Sequence, residues 1–284
     1  MSAAKAKPTG LVFYPASHRY KLSATPGEPA TDWCPGVTTI IGVLDKPALP
    51  KWAAGMVAEF VADQPSLVDL MNTHGGRDPV IAFLKALPWQ KRDTAGQRGT
   101  TFHDFAERIV NGEEVQVPPE QVGMVESALA FMEDWDIHPV LVEEAVASRE
   151  HRWAGKLDLV ADCTAPEWTT PLDTPFKGRA IFDWKSGKSI YTSAAFQLNA
   201  YAHAEIYGER GDEHPMADLG IEAAFGVHIR DDGYSVHRLK FGPAIYDEFL
   251  CIRRAFDINK RADGDWKIPG TGYVGAPYVK EVVT

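Results

Sequence analysis

Cysteine is scarce in this 284-residue chain: there are three, Cys34, Cys163 and Cys251, an odd number at wide separations with no C-x-x-C pair. That spacing supports neither a disulfide framework nor a zinc ribbon, so reduced thiols acting as small apolar side chains are expected. Long hydrophobic runs are lacking too. Stretches such as Val37–Leu44 fall far short of the ~20 residues needed to span a bilayer. No apolar segment follows the polar Met1–Gly10 stretch, as one would in a secretory signal. A cytoplasmic protein with no membrane partner is expected. Positive charge is in deficit: 29 Lys and Arg against 39 Asp and Glu give a net charge of -10. This excludes a protein that coats nucleic acid by bulk electrostatics, but not a local basic groove or a carboxylate cluster neutralised by cations. No G-x-x-x-x-G-K-[ST] sequence is present, so the chain carries no P-loop motor. There is no internal repeat.

What is present is an ordinary globular balance, 45% hydrophobic and 24% charged. Residues 11–22, LVFYPASHRYKL, read as two short strands around a Pro-Ala-Ser turn, and Thr25–Pro35 as loop. Trp52, Met56, Val57 and Phe60 recur at helical spacing, and Leu67–Thr73 and Pro79–Leu87 read as further short helices. Thr94–Asn111 reads as a stronger helix, with Phe102, Phe105, Ala106 and Ile109 on one stripe and Gly112 as its stop. Glu120 to about Asp136 reads as another. After Pro139 the pattern becomes Val/Ile/Ala-rich: PVLVEEAVAS, HRWAGKLDLVAD and RAIFDWKSG read as consecutive strands, with an exposed loop over Thr164–Lys177. A helix over Ser193–Tyr207, a hairpin across Asp231-Asp232-Gly233 and a helix over Pro243–Lys260 follow, and the tail from Gly264 reads as loop over the body. The fold class is mixed α/β, with a helical front end. The boundaries expected are 1–93 for the N-terminal hairpin and helices, 94–262 for the core and 263–284 for the tail.

Two acidic residues lie in or beside apolar strands, Asp158 in Gly155-Lys-Leu-Asp158 and Asp183 in Asp183-Trp-Lys185. A carboxylate there is costly unless paired or bound to metal. Period-two alternation puts Asp183 and Lys185 on one strand face, and a hairpin across the 164–177 loop would bring Asp158 opposite Asp183. Converging carboxylates favour a hard divalent cation, Mg²⁺ or Mn²⁺, and such a cation with an ammonium suits phosphodiester hydrolysis. A lone D-x-K is more often a solvated pair on a half-exposed strand.

The wider pattern resembles the RecB-like branch of the PD-(D/E)XK nuclease superfamily. Four blocks stand in that family's order: Gly99-Thr-Thr-Phe-His103-Asp-Phe-Ala-Glu107, Gly155-Lys-Leu-Asp158, Asp183-Trp-Lys185 and Gln197-Leu-Asn-Ala-Tyr201. The early HRYKL and GVTTIIG segments are similar, more loosely, to phage-type and mitochondrial genome-maintenance exonucleases. The resemblance implies a restriction-endonuclease-like core, a central mixed sheet flanked by helices. Asp158 matches the first acidic ligand, with Leu157 where the superfamily's name has proline. Asp183 and Lys185 match the (D/E)xK element, and His103 and the Trp184 carbonyl match further metal ligands. Gln197 and Tyr201 match the Q-x-x-x-Y element that supports the site and contacts DNA, although i, i+4 spacing alone also suits a buried polar–aromatic pair. Glu107, one turn after His103, either orients that imidazole or merely neighbours it.

The implied activity is a Mg²⁺- or Mn²⁺-dependent deoxyribonuclease, with exonuclease action on single strands or DNA ends in recombination, replication or repair, in a bacterial or phage-infected cell. A catalytically silent DNA- or protein-binding module and a site-specific endonuclease are the alternatives. DNA is the expected partner, with a helicase or single-strand-annealing protein supplying any unwinding. No iron–sulfur cluster is expected, since a fourth cysteine is missing. Glu143 and Glu144 face opposite sides of their strand; Glu144 is preferred for approaching the site, and a plain surface role is expected of both. Trp52, Trp89 and Phe102 are candidates for stacking on bases, against the commoner core role. His151, His203, His228 and His237 show no ligand spacing and are expected to be surface or satisfied residues.

Overall fold

The computed structural model describes residues 8–64, 66–167 and 175–265. It opens with a three-stranded antiparallel sheet in the order β1 (Leu11–Tyr14), β2 (Arg19–Leu22) and β3 (Asp32–Cys34). Pro15–Ser17 forms a single 3-10 turn between the first two strands, at the expected hairpin tip. β3 lies in the stretch expected to be loop. Its three residues are held by pairing with β2, Tyr20↔Cys34 and Lys21↔Trp33, which local composition does not encode.

Helices α1 (Val37–Ile41), α2 (Ala48–Ala62), α3 (Leu67–His74) and α4 (Arg77–Val110) follow. The two helices expected over 79–87 and 94–111 are in fact one, α4, which runs through Pro88. Proline removes one hydrogen bond and costs ~3 kcal/mol in a helix interior. Good helix formers surround it, and packing of α2 and α3 along the first half of α4 opposes the break. There Phe83 meets Phe60 and His74, with ring centroids 5.1 and 4.7 Å apart. The boundary expected at 93/94 therefore falls inside a continuous helix.

Next come α5 (Val122–Asp134), β4 (His138–Ser148), β5 (Trp153–Thr164), β6 (Lys177–Lys185), α6 (Ser193–Ala202), β7 (Ile206–Tyr207), β8 (His214–Pro215), β9 (Ala223–Arg230), β10 (Gly233–Leu239) and α7 (Pro243–Asp265). α6 stops short of the expected Tyr207 because Ile206 and Tyr207 pair with β4 instead. The tail beyond residue 265 and the centre of the 164–177 loop lie outside the described residues.

The second sheet has seven strands in the order β10-β9-β6-β5-β4-β7-β8. Every pairing is antiparallel except β6 with β9, so the fold is a mixed α/β arrangement around a mostly antiparallel sheet. Alternation sends Leu159, Ala161 and Phe182 to one face, against Phe102 and Ala106 of α4 and Phe131 of α5. It sends Val160 and Ile181 to the other, against Ile40 of α1, Leu198 of α6 and Phe249 of α7. The small sheet packs Leu11, Tyr20, Leu22 and Cys34 onto Ala145, Ala147 and Ala154 of β4 and β5. Among the described residues no helix is long and apolar enough to cross a membrane.

Candidate functional site

The β5–β6 ladder ends at Leu159↔Phe182, and β6 continues by pairing in parallel with β9, Asp183↔Gly226. Asp158 and Asp183 are thus the first residues past the point where the two strands part. On its other side β5 pairs with β4 through Val142↔Leu159 and Glu144↔Leu157, skipping the position where Glu143 faces Asp158. Glu143 sits there at φ 49, in the left-handed region. Alternation slips by one at the same place: Leu159 buries in the α4–α5 cluster, yet Leu157 buries in the α1–α6–α7 cluster. The break turns three carboxylates toward one point.

α4 brings the imidazole. Phe102 is fully buried and meets Trp184 edge to face at 6.3 Å, which fixes the helix's rotation and leaves His103 beside the gap. His103 Nδ1 lies 3.6 Å from both Glu143 Oε1 and Asp158 Oδ2. One ligand atom from each of His103, Glu143 and Asp158 falls within 4.8 Å of the others. Asp158 Oδ2 also accepts the Trp184 backbone N–H at 2.8 Å. Lys185 Nζ stands 2.5 Å from Asp183 Oδ2, and Gln197 Nε2 donates to Asp183 Oδ1 at 3.0 Å. Tyr201, one turn further along α6, lies 3.4 Å from Gln197 Nε2 through its hydroxyl. Lys156 Nζ pairs with Glu143 Oε2 at 2.8 Å. These groups line a cavity of about 520 Å³, bounded by Phe13, His18 and Tyr20 of the small sheet and by Gly99 and Thr100 of α4.

The charges are strongly coupled. Burial works against a charged His103, but Asp158, Glu143 and Asp183 outweigh it and raise the imidazole to about 9. Burial, with the Asp183 and Glu143 charges, pushes Asp158 up to about 7 against the pull of His103. Burial opposes ionisation of Glu143, yet hydrogen bonds from His103 and Lys156 hold it below the usual carboxylate range. Burial also disfavours the Lys185 ammonium, and Asp183 with Asp158 more than compensates, holding it above the ordinary lysine value. The cluster therefore retains protons that a cation would displace.

His103, Asp158, Asp183, Lys185, Gln197 and Tyr201 are all brought to this cavity. Trp184 contributes its buried ring to the core and its N–H to Asp158. Glu107 acts through its charge on Lys156, while His103 Nδ1 faces Glu143 and Asp158. Glu143, not Glu144, is the glutamate of the site; Glu144 Oε1 accepts from the Ala145 N–H at 3.1 Å. Lys156 was likewise not foreseen. The one signal for it was its position two residues before Asp158 on the same strand. Phe102 is closed off from any ligand, and neither Trp52 nor Trp89 lines the cavity. His228 is satisfied by the Gly187 carbonyl at 2.6 Å, and His203 stacks on Tyr246 at 5.1 Å.

The fold and site together define a mixed α/β protein with an imidazole–carboxylate–ammonium cluster at a break in its main sheet. No protein-family model matches the chain, and no curated protein matches it.

Proposed function

We propose that the protein is a divalent-metal-dependent deoxyribonuclease with a restriction-endonuclease-like core, of the RecB-like PD-(D/E)XK kind, acting on single strands or DNA ends. The observation that carries this reading is the meeting of His103, Glu143, Asp158, Asp183 and Lys185 at one splayed point of the sheet, at the wall of an open cavity. The donor set suits a cation: one imidazole and two carboxylates within 4.8 Å of one another, an oxygen-rich set of the kind hard divalent ions take. Asp183 Oδ2 supports the same view: it is buried, and among the described residues its partner is the Lys185 ammonium 2.5 Å away.

His103, Glu143 and Asp158 would hold the cation, with Asp183 and the Trp184 carbonyl as the further oxygens that the family resemblance implies. A bound cation supplies positive charge where phosphodiester oxygens gather negative charge. Asp183 and Gln197 fix the direction of Lys185 through contacts of 2.5 and 3.4 Å, which leaves one of its three N–H donors for the cavity. Because Lys185 is held as an ammonium, it donates to the phosphate or to the attacking water and does not serve as the resting base. Tyr201 and Gln197 orient Asp183 from α6 and keep the floor of the cavity closed.

The test is digestion of end-labelled single-stranded, linear duplex and closed circular DNA with Mg²⁺ or Mn²⁺, with Lys185→Ala as control. Progressive loss of only those substrates that have ends, absent in the variant, is the expected result. Discrete fragments from the closed circle would make it an endonuclease. Full cleavage by Lys185→Ala, or none by the parent protein under either metal, would overturn the reading.

A further inference from the structure

The small N-terminal sheet has two faces with different chemistry. Its inner face, Leu11, Phe13, Tyr20, Leu22 and Cys34, is committed to the core. Its outer face carries Tyr14, Arg19, Lys21 and Trp33 around the buried Val12, brought side by side by the pairings Tyr14↔Arg19, Val12↔Lys21 and Lys21↔Trp33. Trp33 is 45% exposed, a large residue to leave in water on a sheet of three short strands. Arg19 Cζ lies 3.9 Å and Lys21 Nζ 4.9 Å from the centre of its ring, and the Tyr14 ring stands 5.3 Å away.

The two cations are the unexpected part. They occupy alternate positions of one strand face and so repel, and the chain carries a net charge of -10 with acidic side chains in excess. Nevertheless, among the described residues neither Arg19 nor Lys21 is in an ion pair. A sheet needing only stability would do better with one cation on the indole, or with a carboxylate between the two. Two cations without ion pairs, both on the exposed Trp33 ring beside a partly buried Tyr14, match what a nucleic-acid strand presents, stacked bases flanked by phosphates at short repeat.

Position connects this face to the cavity. Tyr14 and Arg19 are the last pair before the hairpin tip, and Pro15 and His18 of that tip, with Phe13 and Tyr20, form part of the cavity rim. His18 holds a left-handed backbone, φ 47 and ψ 48, and meets Phe13 edge to face at 5.2 Å. The tip therefore lies between the cation–aromatic face and the cluster of His103, Glu143 and Asp158.

We infer that the outer face of the β1–β3 sheet is a binding platform for single-stranded DNA, with bases stacking on Trp33 and Tyr14 and phosphates held by Arg19 and Lys21, leading the strand past His18 into the cavity. The inference rests on the nuclease reading for its purpose, and its test is kept separate from cleavage. A duplex fits it poorly, because paired bases offer no free ring face to Trp33.

The measurement is fluorescence anisotropy of a labelled oligothymidylate against the full chain in EDTA, where no cleavage occurs, at several salt concentrations. Trp33→Ala should weaken binding about tenfold, the loss of one stacked base, while Trp33→Phe retains most of the affinity. Arg19→Ala with Lys21→Ala should lower the slope of log K against log salt by about 0.7 per charge removed. A duplex of the same length should be bound more weakly and be indifferent to Trp33. Thermal melting of each variant near that of the parent certifies the fold. Parent-like affinity and salt slope in both variants, or no single-strand binding by the parent, would overturn the platform. A protein that binds with these dependences but never cleaves would sink the nuclease reading and leave the platform standing. A protein that cleaves while its binding ignores Trp33, Arg19 and Lys21 would sink the platform alone.

Discussion

The Tyr201 ring occupies the space a side chain on Gly155 would need: an ideal Cβ there would fall 2.2 Å from Tyr201 Cε1. Gly155 begins the strand segment that ends in Asp158, and Tyr201 stands one helical turn beyond Gln197. Two residues more than forty positions apart in sequence are thus one packing unit. The absence of a side chain at one end lets the edge of a phenol press against the strand at the other, with its hydroxyl 3.4 Å from Gln197 Nε2.

Gly155→Ala should therefore displace the tyrosine ring while leaving a backbone that alanine itself can adopt. We expect a loss of ~1–3 kcal/mol of stability, the usual range for overpacking, and slower cleavage because Gln197 loses its support beneath Asp183. Tyr201→Ala alone creates a cavity, and in that background the added methyl has room. The cycle in urea denaturation should show Gly155→Ala costing little once Tyr201 is gone. Independent, additive losses would mean the two residues do not share this space.

Glu143 is held at φ 49 in the middle of a strand. A non-glycine residue there is strained by roughly 1 kcal/mol, and strain of this sort persists where the side chain is needed. Glu143→Ala keeps the strain and loses the carboxylate, whereas Glu143→Gly loses both. The glycine variant should be about as stable as the alanine variant or more so, by up to ~1 kcal/mol. Both should bind Mn²⁺ much more weakly in calorimetric titration. Retained Mn²⁺ affinity in either would remove Glu143 from the cation site.

The pH dependence follows from Asp158, raised to about 7, and His103, raised to about 9. Asp158 binds its proton more tightly in the folded protein than in the unfolded chain, so metal-free stability falls as pH rises from the ordinary carboxylate range through about 7. The His103 contribution is fully present below the ordinary imidazole value and is lost as pH climbs through about 9. Both slopes have the same sign, and urea midpoints should decline between pH 6 and 9. A cation must displace these protons, so Mn²⁺ affinity should rise over the same interval, with proton release visible as a buffer-dependent binding enthalpy. In Asp158→Asn the decline between the ordinary carboxylate range and about pH 7 should vanish, and the His103 decline above it should shrink, since Asp158 is the largest charge raising that imidazole. A midpoint that rises with pH in the parent protein would contradict the assignment.

How much of this was legible beforehand differs by element. Asp158, Asp183 and Lys185 could be placed because strand alternation is a strict local rule, and it held along β6. Helical spacing put Gln197 and Tyr201 on one face of their helix, but only the family resemblance pointed that face at the site. Glu143 was hidden because it breaks that rule. Its left-handed backbone moves the reading frame of β4, and nothing in Leu-Val-Glu-Glu-Ala marks which glutamate will do so. β3, β7 and β8 were invisible for another reason: two or three residues carry no period, and each exists only through a partner strand distant in sequence. Pro88 misled in the opposite direction, since its local cost argued for a helix end that tertiary packing along α4 overrode.

Lys185 offers the sharpest separation of binding from chemistry. Its ammonium lies 2.5 Å from Asp183 Oδ2, on a carboxylate that is 1% exposed and otherwise bound by Gln197. Lys185→Met retains the length of the side chain and removes the charge, leaving Asp183 buried with one donor. Breaking a fully buried pair costs ~3–5 kcal/mol; Lys185 is itself a third exposed, so the cost here is smaller, and the metal-free variant should melt below the parent. The freed carboxylate should then attract a cation more strongly, so Mn²⁺ should restore part of the lost stability and bind at least as tightly as to the parent. Cleavage should nevertheless be abolished, because the donor aimed into the cavity is gone. Asp183→Asn should behave differently, with both Mn²⁺ affinity and cleavage reduced. Equal loss of Mn²⁺ binding in the two variants would mean that Lys185 helps to build the cation site, and its placement as a proton donor to the phosphate or water would have to be abandoned.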